Sequence, residues 1–239
     1  MVVSRSVVNR FSEATIGMRV LLVDHGCCDP PHSRVFRCRD WLLAERIEVL
    51  ACGPASVSTL EAPSPGLHGI HLRDIAAANR KFARAVRDGT PQTFLDTSPT
   101  IPAPLLGLVR ETARQAIAEA VDGFDPDVIL VLHAGIFADL AVETGVPVVV
   151  HVGPHDLAAA RHDQRVHSLV SAALASAEVV MAADPSTESL LTAEWLDAAA
   201  TNIGPVAEVD ERCGPVLAEA VRLAARRRGG GGGGRSPLP

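Results

Sequence analysis

Residues 127–135 read DVILVLHAG: an acidic residue, five branched aliphatics, then a histidine and two small residues. An apolar run without polar alternation is the pattern of a strand buried on both faces, as in a parallel sheet covered by helices. Downstream the pattern recurs in Pro147–Val152 (PVVVHV) and Glu178–Ala182 (EVVMA), upstream in Arg19–Asp24 (RVLLVD) and Ile47–Cys52 (IEVLAC), with Gly69–Leu72 as a shorter strand. Helical spacing fills the intervals: Arg34–Arg46, with Val35, Cys38, Leu42 and Leu43 on one side, then Ile75–Arg87, Leu105–Val121 and Ile136–Glu143, which Gly145 stops. Asp163–Ser176 and Ser186–Leu196 follow, the latter capped by Asp184 or Ser186, and Pro215–Arg228 is the last helix. Strands alternating with helices predict right-handed βαβ units and a doubly wound, mostly parallel α/β sheet, a single Rossmann-like domain. Residues 54–68 and 89–104, rich in Pro with Ser or Thr, read as irregular connections.

Composition narrows the function classes. The chain has 239 residues, 47% hydrophobic and 21% charged, enough to bury a sizeable core. Six Phe, two Trp and no Tyr make that core aliphatic and leave little for base-stacking platforms. A net charge of −6 argues against a nucleic-acid binder held by phosphate contacts. No apolar run approaches the roughly 18 residues of a membrane span. Five cysteines (27, 28, 38, 52 and 213), odd in number and without CxxC spacing, fit reduced thiols and a cytoplasmic location. The Cys27-Cys28 pair reads as two small buried residues rather than a vicinal disulfide. Arg5 and Arg10 interrupt Met1–Gly17, so the stretch does not read as a secretory leader; it is expected to be an N-terminal extension, with Met18 as a plausible start. Residues 229–239, opening on six glycines, are expected to form a disordered tail.

In open α/β sheets, ligands bind outside the carboxyl ends of the strands. There the sequence places Asp24-His25-Gly26, His133-Ala134-Gly135, His151 through His155-Asp156, and Asp184-Pro185-Ser186. Small neighbours at Gly26, Gly135 and Gly153 let a ligand approach the backbone. Polar residues also collect at strand ends simply because loops begin there, and both readings stand at this point. Several chemistries are disfavoured: no GxSxG elbow, Walker A loop or GxGxxG follows a strand. The turn DHGCCDPPHS, with two prolines, is a poor dinucleotide cradle. His151-x3-His155, read as lying on a strand-to-loop segment, has no partner motif for a metal, and none is expected. His162, His167, Arg161 and Arg165 read as solvated helix residues.

MRVLLVDHG (18–26), DPDVILVLHAG (125–135), GVPVVVHVGPHDL (145–157) and SAEVVMAADPSTESLL (176–191) together resemble, in order, the N-terminal domain of family-4 glycosyltransferases of the GT-B fold. The resemblance covers about residues 18–205. Gly26, His133, His155-Asp156 and Asp184 with Ser186 stand at the family's motif positions. There are departures: Cys27-Cys28 replaces the usual double glycine, and His155 stands two residues late, so His151 or His155 takes the family's histidine position. The family's serine falls at Asp184, with Ser186 nearby.

The resemblance implies half of a GT-B fold: a domain over 18–210, a C-terminal helix over 211–228, and an acceptor-binding role in transfer from a nucleotide-sugar. It implies His155 and Asp156 as catalytic residues facing the donor sugar, and His25, Gly26, His133, His151, Asp184 and Ser186 as acceptor-binding. The acceptor would be a small molecule or a glycan, the nucleotide-sugar a cosubstrate, and no cofactor would be tightly bound. Residues 201–210 (TNIGPVAEVD) resemble the hinge into a donor-binding second domain, which is expected to be supplied by a separate chain. Glu211 to Ala220 reproduces the E-x-x-G-x-x-x-x-E-A form of the donor motif, although an amphipathic helix produces the same spacing. The alternatives are a non-catalytic remnant, a small-molecule-binding module, and a small-molecule enzyme whose histidines act as acid and base.

Overall fold

The apolar runs form strands because both sides of each are taken up by core. The computed structural model describes residues 17–25, 34–55, 65–72, 75, 79–82, 96–195 and 213–230. Within them, β1 (Arg19–Val23), β2 (Glu48–Pro54), β3 (Leu67–Ile70), β4 (Val128–Val131), β5 (Val148–Val152) and β6 (Val179–Ala182) make one six-stranded sheet. Every pairing is parallel, in the order β3-β2-β1-β4-β5-β6. The chain builds outward from β1 in one direction and from β4 in the other. The reversal therefore lies between β1 and β4, where the crevice of a doubly wound sheet opens.

Alternate residues of each strand enter different layers. Val20, Leu22, Val128, Leu130, Val149 and Met181 pack with α1 (Arg34–Ala44) and α7 (Cys213–Gly230). Leu21, Val23, Ile129, Val131, Val148 and Val150 face the other layer, formed by α2 (Ala103–Phe124), α3 (Ala138–Glu143) and α5 (Gln164–Ser176). Each such side chain contributes on the order of 1.5–3 kcal/mol by leaving water. Burial pushes the thiols of Cys38 and Cys52 up to about 12, so both remain protonated core residues. Gly214 lets α7 approach α1: a Cβ there would stand 3.1 Å from Trp41 Cβ. That packing accounts for the glycine of the donor-like spacing, while Glu219 is exposed.

Local chemistry moved several boundaries. α2 starts two residues before the expected Leu105, with a proline in its first turn where no intrahelical N–H bond is lost. It ends at Asp125 in the left-handed region, φ 48°. β3 is shifted two residues toward the N-terminus of the expected strand. α6 (Pro185–Leu190) continues into one turn of π-helix, Leu191–Trp195. Residues 154–162, for which the sequence predicts no separate helix, form α4 (Pro154–His162). Gly26, Cys27-Cys28, most of Ile75–Arg87, the hinge-like 201–210 and the glycine tail from 231 lie outside the described residues, as does nearly all of the N-terminal extension. Among the described residues no helix is long and apolar enough to cross a membrane.

Candidate functional site

At the reversal of strand order, five ionisable side chains are buried among the described residues. Asp24 and His25 directly follow β1, His133 follows β4, His151 lies in β5, and Asp156 belongs to the first turn of α4. His151 and Asp156 are fully buried, His25 is 1% exposed and His133 6%. The His25 and His133 ring centroids lie 5.1 Å apart across the β1/β4 crevice, and the Phe137 ring stands T-shaped to His25 with centroids 6.4 Å apart.

Asp156 connects helix geometry to this cluster. Gly153 follows β5 in extended conformation as the helix N-cap, Pro154 occupies the first helical position, and Asp156 the third. From there its Oδ2 accepts the Gly153 N–H at 2.8 Å, the reach-back bond of a helix N-terminus. The same oxygen lies 3.2 Å from His133 Nδ1. Oδ1 is buried and meets no donor among the described residues. Burial alone would raise the Asp156 carboxyl, but the positive charge that His133 carries in acid, the His133 hydrogen bond, the like charge of His25 and the Gly153 N–H outweigh it. The carboxyl is held below its ordinary value.

Sequence reasoning missed Arg34, the first residue of α1. Its Nη1 is 2.8 Å from His133 Nε2 and its Nη2 3.2 Å from His151 Nδ1. One guanidinium thus bridges two histidines that lie 99 and 117 residues away, a link no local signal discloses. The loop carrying His133 is fixed from the other layer. Arg110 pairs bidentately with Asp139 at 3.0 and 2.6 Å and donates to the Ile136 carbonyl at 2.6 Å. Both side chains are largely shielded, so the planar fork sets geometry as well as charge.

The remaining expected residues stand apart from the cluster. His155 is exposed on the first turn of α4. Asp184 caps α6: it accepts the Thr187 N–H at 2.7 Å, the Thr187 hydroxyl at 3.0 Å and the Ser186 hydroxyl at 2.5 Å. The Ser186 hydroxyl bond, followed by the Thr187 N–H, holds the Asp184 carboxyl below its usual range. Ser186 itself is exposed. Arg161 is exposed, as a solvated helix charge is, whereas Arg165 is half-buried. Arg161 pairs with Glu194 at 2.6 Å, and Arg165 joins Asp163 at 2.8 Å and the Ile101 carbonyl at 2.9 Å. A signal for α4 was present in Gly153-Pro154-x-Asp156, a proline at the first helical position with an acidic residue two later.

No protein-family model matches the chain, and no curated protein does. Solved structures are similar over part of their length. MurG of Acinetobacter baumannii is 14% identical with a TM-score of 0.41, the match covering 79% of this chain and 45% of that one. The lipopolysaccharide outer core galactosyltransferase WaaB is 8% identical with a TM-score of 0.43, covering 78% and 44%. The spinosyn rhamnosyltransferase SpnG is 20% identical with a TM-score of 0.41, covering 79% and 50%. The chain spans about half the length of these structures.

Proposed function

We propose that this chain is the acceptor-binding half of a nucleotide-sugar-dependent glycosyl transfer system, built like the N-terminal domain of a family-4 GT-B enzyme. The observation that carries the reading is the gathering of His25, His133, His151 and Asp156 at the β1/β4 reversal. These residues come from three of the four segments whose order resembles that family. Glycosyl transfer needs an acceptor hydroxyl held in place and a departing diphosphate stabilised. Imidazoles, which both accept and donate, suit the holding of a hydroxyl, and His25, His133 and His151 would orient it. Asp156 would act on it through His133, and the exposed His155 would meet the donor sugar. Gly26, Asp184 and Ser186 would be further acceptor-binding residues. Stabilising the diphosphate would fall to a separate donor-binding domain or chain, with the nucleotide-sugar as cosubstrate.

Isothermal titration of the purified chain against polyol and glycan acceptors, then against nucleotide-sugars, tests this. Acceptors should bind the chain alone, and His133→Ala should weaken them about tenfold, the effect of losing one hydrogen bond of about 1.4 kcal/mol. Transfer should appear only when a donor-binding chain is added. Hydrolysis of, or transfer from, a nucleotide-sugar by this chain alone would overturn the division of labour. A second reading, a small-molecule-binding module without turnover, is favoured by one observation: Arg34 already occupies a ring nitrogen of both His133 and His151. Acceptor binding that never leads to transfer with any donor-binding partner would decide for it.

A further inference from the structure

We propose that Arg34 is a positioning residue that holds His133 and His151 as neutral imidazoles of opposite tautomer. Which atoms can donate decides the protonation of both rings. A guanidinium carries five N–H donors and no acceptor. Its Nη1 is 2.8 Å from His133 Nε2 and its Nη2 3.2 Å from His151 Nδ1, so both ring nitrogens must accept and neither carries a proton. A neutral imidazole keeps its proton on the other nitrogen. His133 therefore has Nδ1–H, directed at Asp156 Oδ2 at 3.2 Å, while His151 has Nε2–H.

A chain of fixed polarity follows: Arg34 donates to His133, which donates to the fully buried carboxylate. Among the described residues, His25 after β1 lies against the His133 ring and acts with it on the Asp156 carboxylate, while Asp24, Arg37 and Cys213, like Arg34 itself, act on the Cys38 thiol of α1. Asp156 by itself would favour an imidazolium at His133. Arg34 works against that by occupying the lone pair and by placing a cation beside the ring. The Nε2 lone pair of His133 is also the atom through which that ring would accept a proton. Arg34 must leave it before the ring can serve as a base. The tautomers do not depend on what the site binds, so they can be tested apart from the proposed function.

The test is long-range 15N–1H correlation spectroscopy of the imidazoles in the full chain from about pH 5 to 8, the range in which histidine titrates, with His133→Gln and His151→Gln spectra supplying the assignments. At neutral pH His133 should show a protonated Nδ1 and a bare Nε2, and His151 the reverse. Arg34→Met should raise the proton affinity of His133 tenfold or more, while the imidazole signals of His68 of β3 and His167 of α5 keep their positions. Arg34→Lys, a point charge without the planar fork, should lose at least one of the two tautomer signatures. A doubly protonated His133 at neutral pH in the wild type, or the opposite tautomer, overturns the proposal without any variant. So does an unchanged His133 titration in a folded Arg34→Met protein.

Discussion

The carboxyl ends of β4–β5 and of β6 look alike in sequence, each offering an acidic residue beside other polar groups, yet they settle their polar atoms in opposite ways. After β6, Asp184 takes its donors from Ser186 and Thr187, two and three residues on, and the reach of the carboxylate ends with α6. After β5, Asp156 takes one donor three residues back and another 23 residues away at His133, which is tied in turn to Arg34, 99 residues away. Local satisfaction makes a cap. Satisfaction across the sheet makes a buried network at a place where ligands bind. The difference teaches that a polar strand end becomes a candidate site when its partners come from other strands.

The contrast is sharpest in stability. Asp156→Ala removes a buried carboxylate and strands both the His133 Nδ1 and the Gly153 N–H. Urea unfolding should show a loss of about 2–6 kcal/mol, at about 1–3 kcal/mol for each of two buried donors left unsatisfied. A loss below about 1 kcal/mol would place Asp156 with the ordinary caps. Acid should reveal the same group. Because the folded carboxyl is depressed, its stabilisation is fully present above the unfolded value of about 3.9 and is lost as pH falls through the lower folded value. The stability difference between wild type and Asp156→Asn should thus stay level above about pH 5 and shrink in more acid solution. A difference that grew on acidification would reverse the sign and refute a depressed carboxyl.

Asp184→Ala should cost about 1 kcal/mol, as the loss of an N-cap does. A cost as large as that of Asp156→Ala would erase the comparison. His155→Ala is the mildest change: unfolding should move by less than about 0.5 kcal/mol, as for an exposed side chain, while transfer in the complemented system falls about tenfold. A marked drop in melting temperature would make His155 a structural residue instead.

The framework of the fold was readable because strands buried on both faces announce themselves as unbroken runs such as Val148–Val150. Periodicity failed where the helix was short and rich in alanine. In Pro154–His162 the apolar spacing is weak, and only the proline and Asp156 mark its beginning. Of the site, the histidines were legible because strand ends are fixed by the sheet. Arg34 was not, because nothing local distinguishes an arginine opening α1 from any other helix-surface arginine. Nor does spacing in the sequence show that one turn of helix buries Asp156 and leaves His155, the residue before it, in solvent.

The contact between Gly214 and Trp41 has a consequence for biosynthesis. One face of the sheet is covered by helices from opposite stretches of the sequence, α1 and α7, so a nascent chain that has reached Trp195 holds all six strands but only one of the two helices for that face. Until the segment through Ala224 has left the ribosome, Val128, Leu130, Val149 and Met181 present an apolar surface that α7 has yet to cover. Exposed surface of this kind makes partly folded species prone to association. The interval between translating β6 and docking α7 is when this protein would draw most on chaperones.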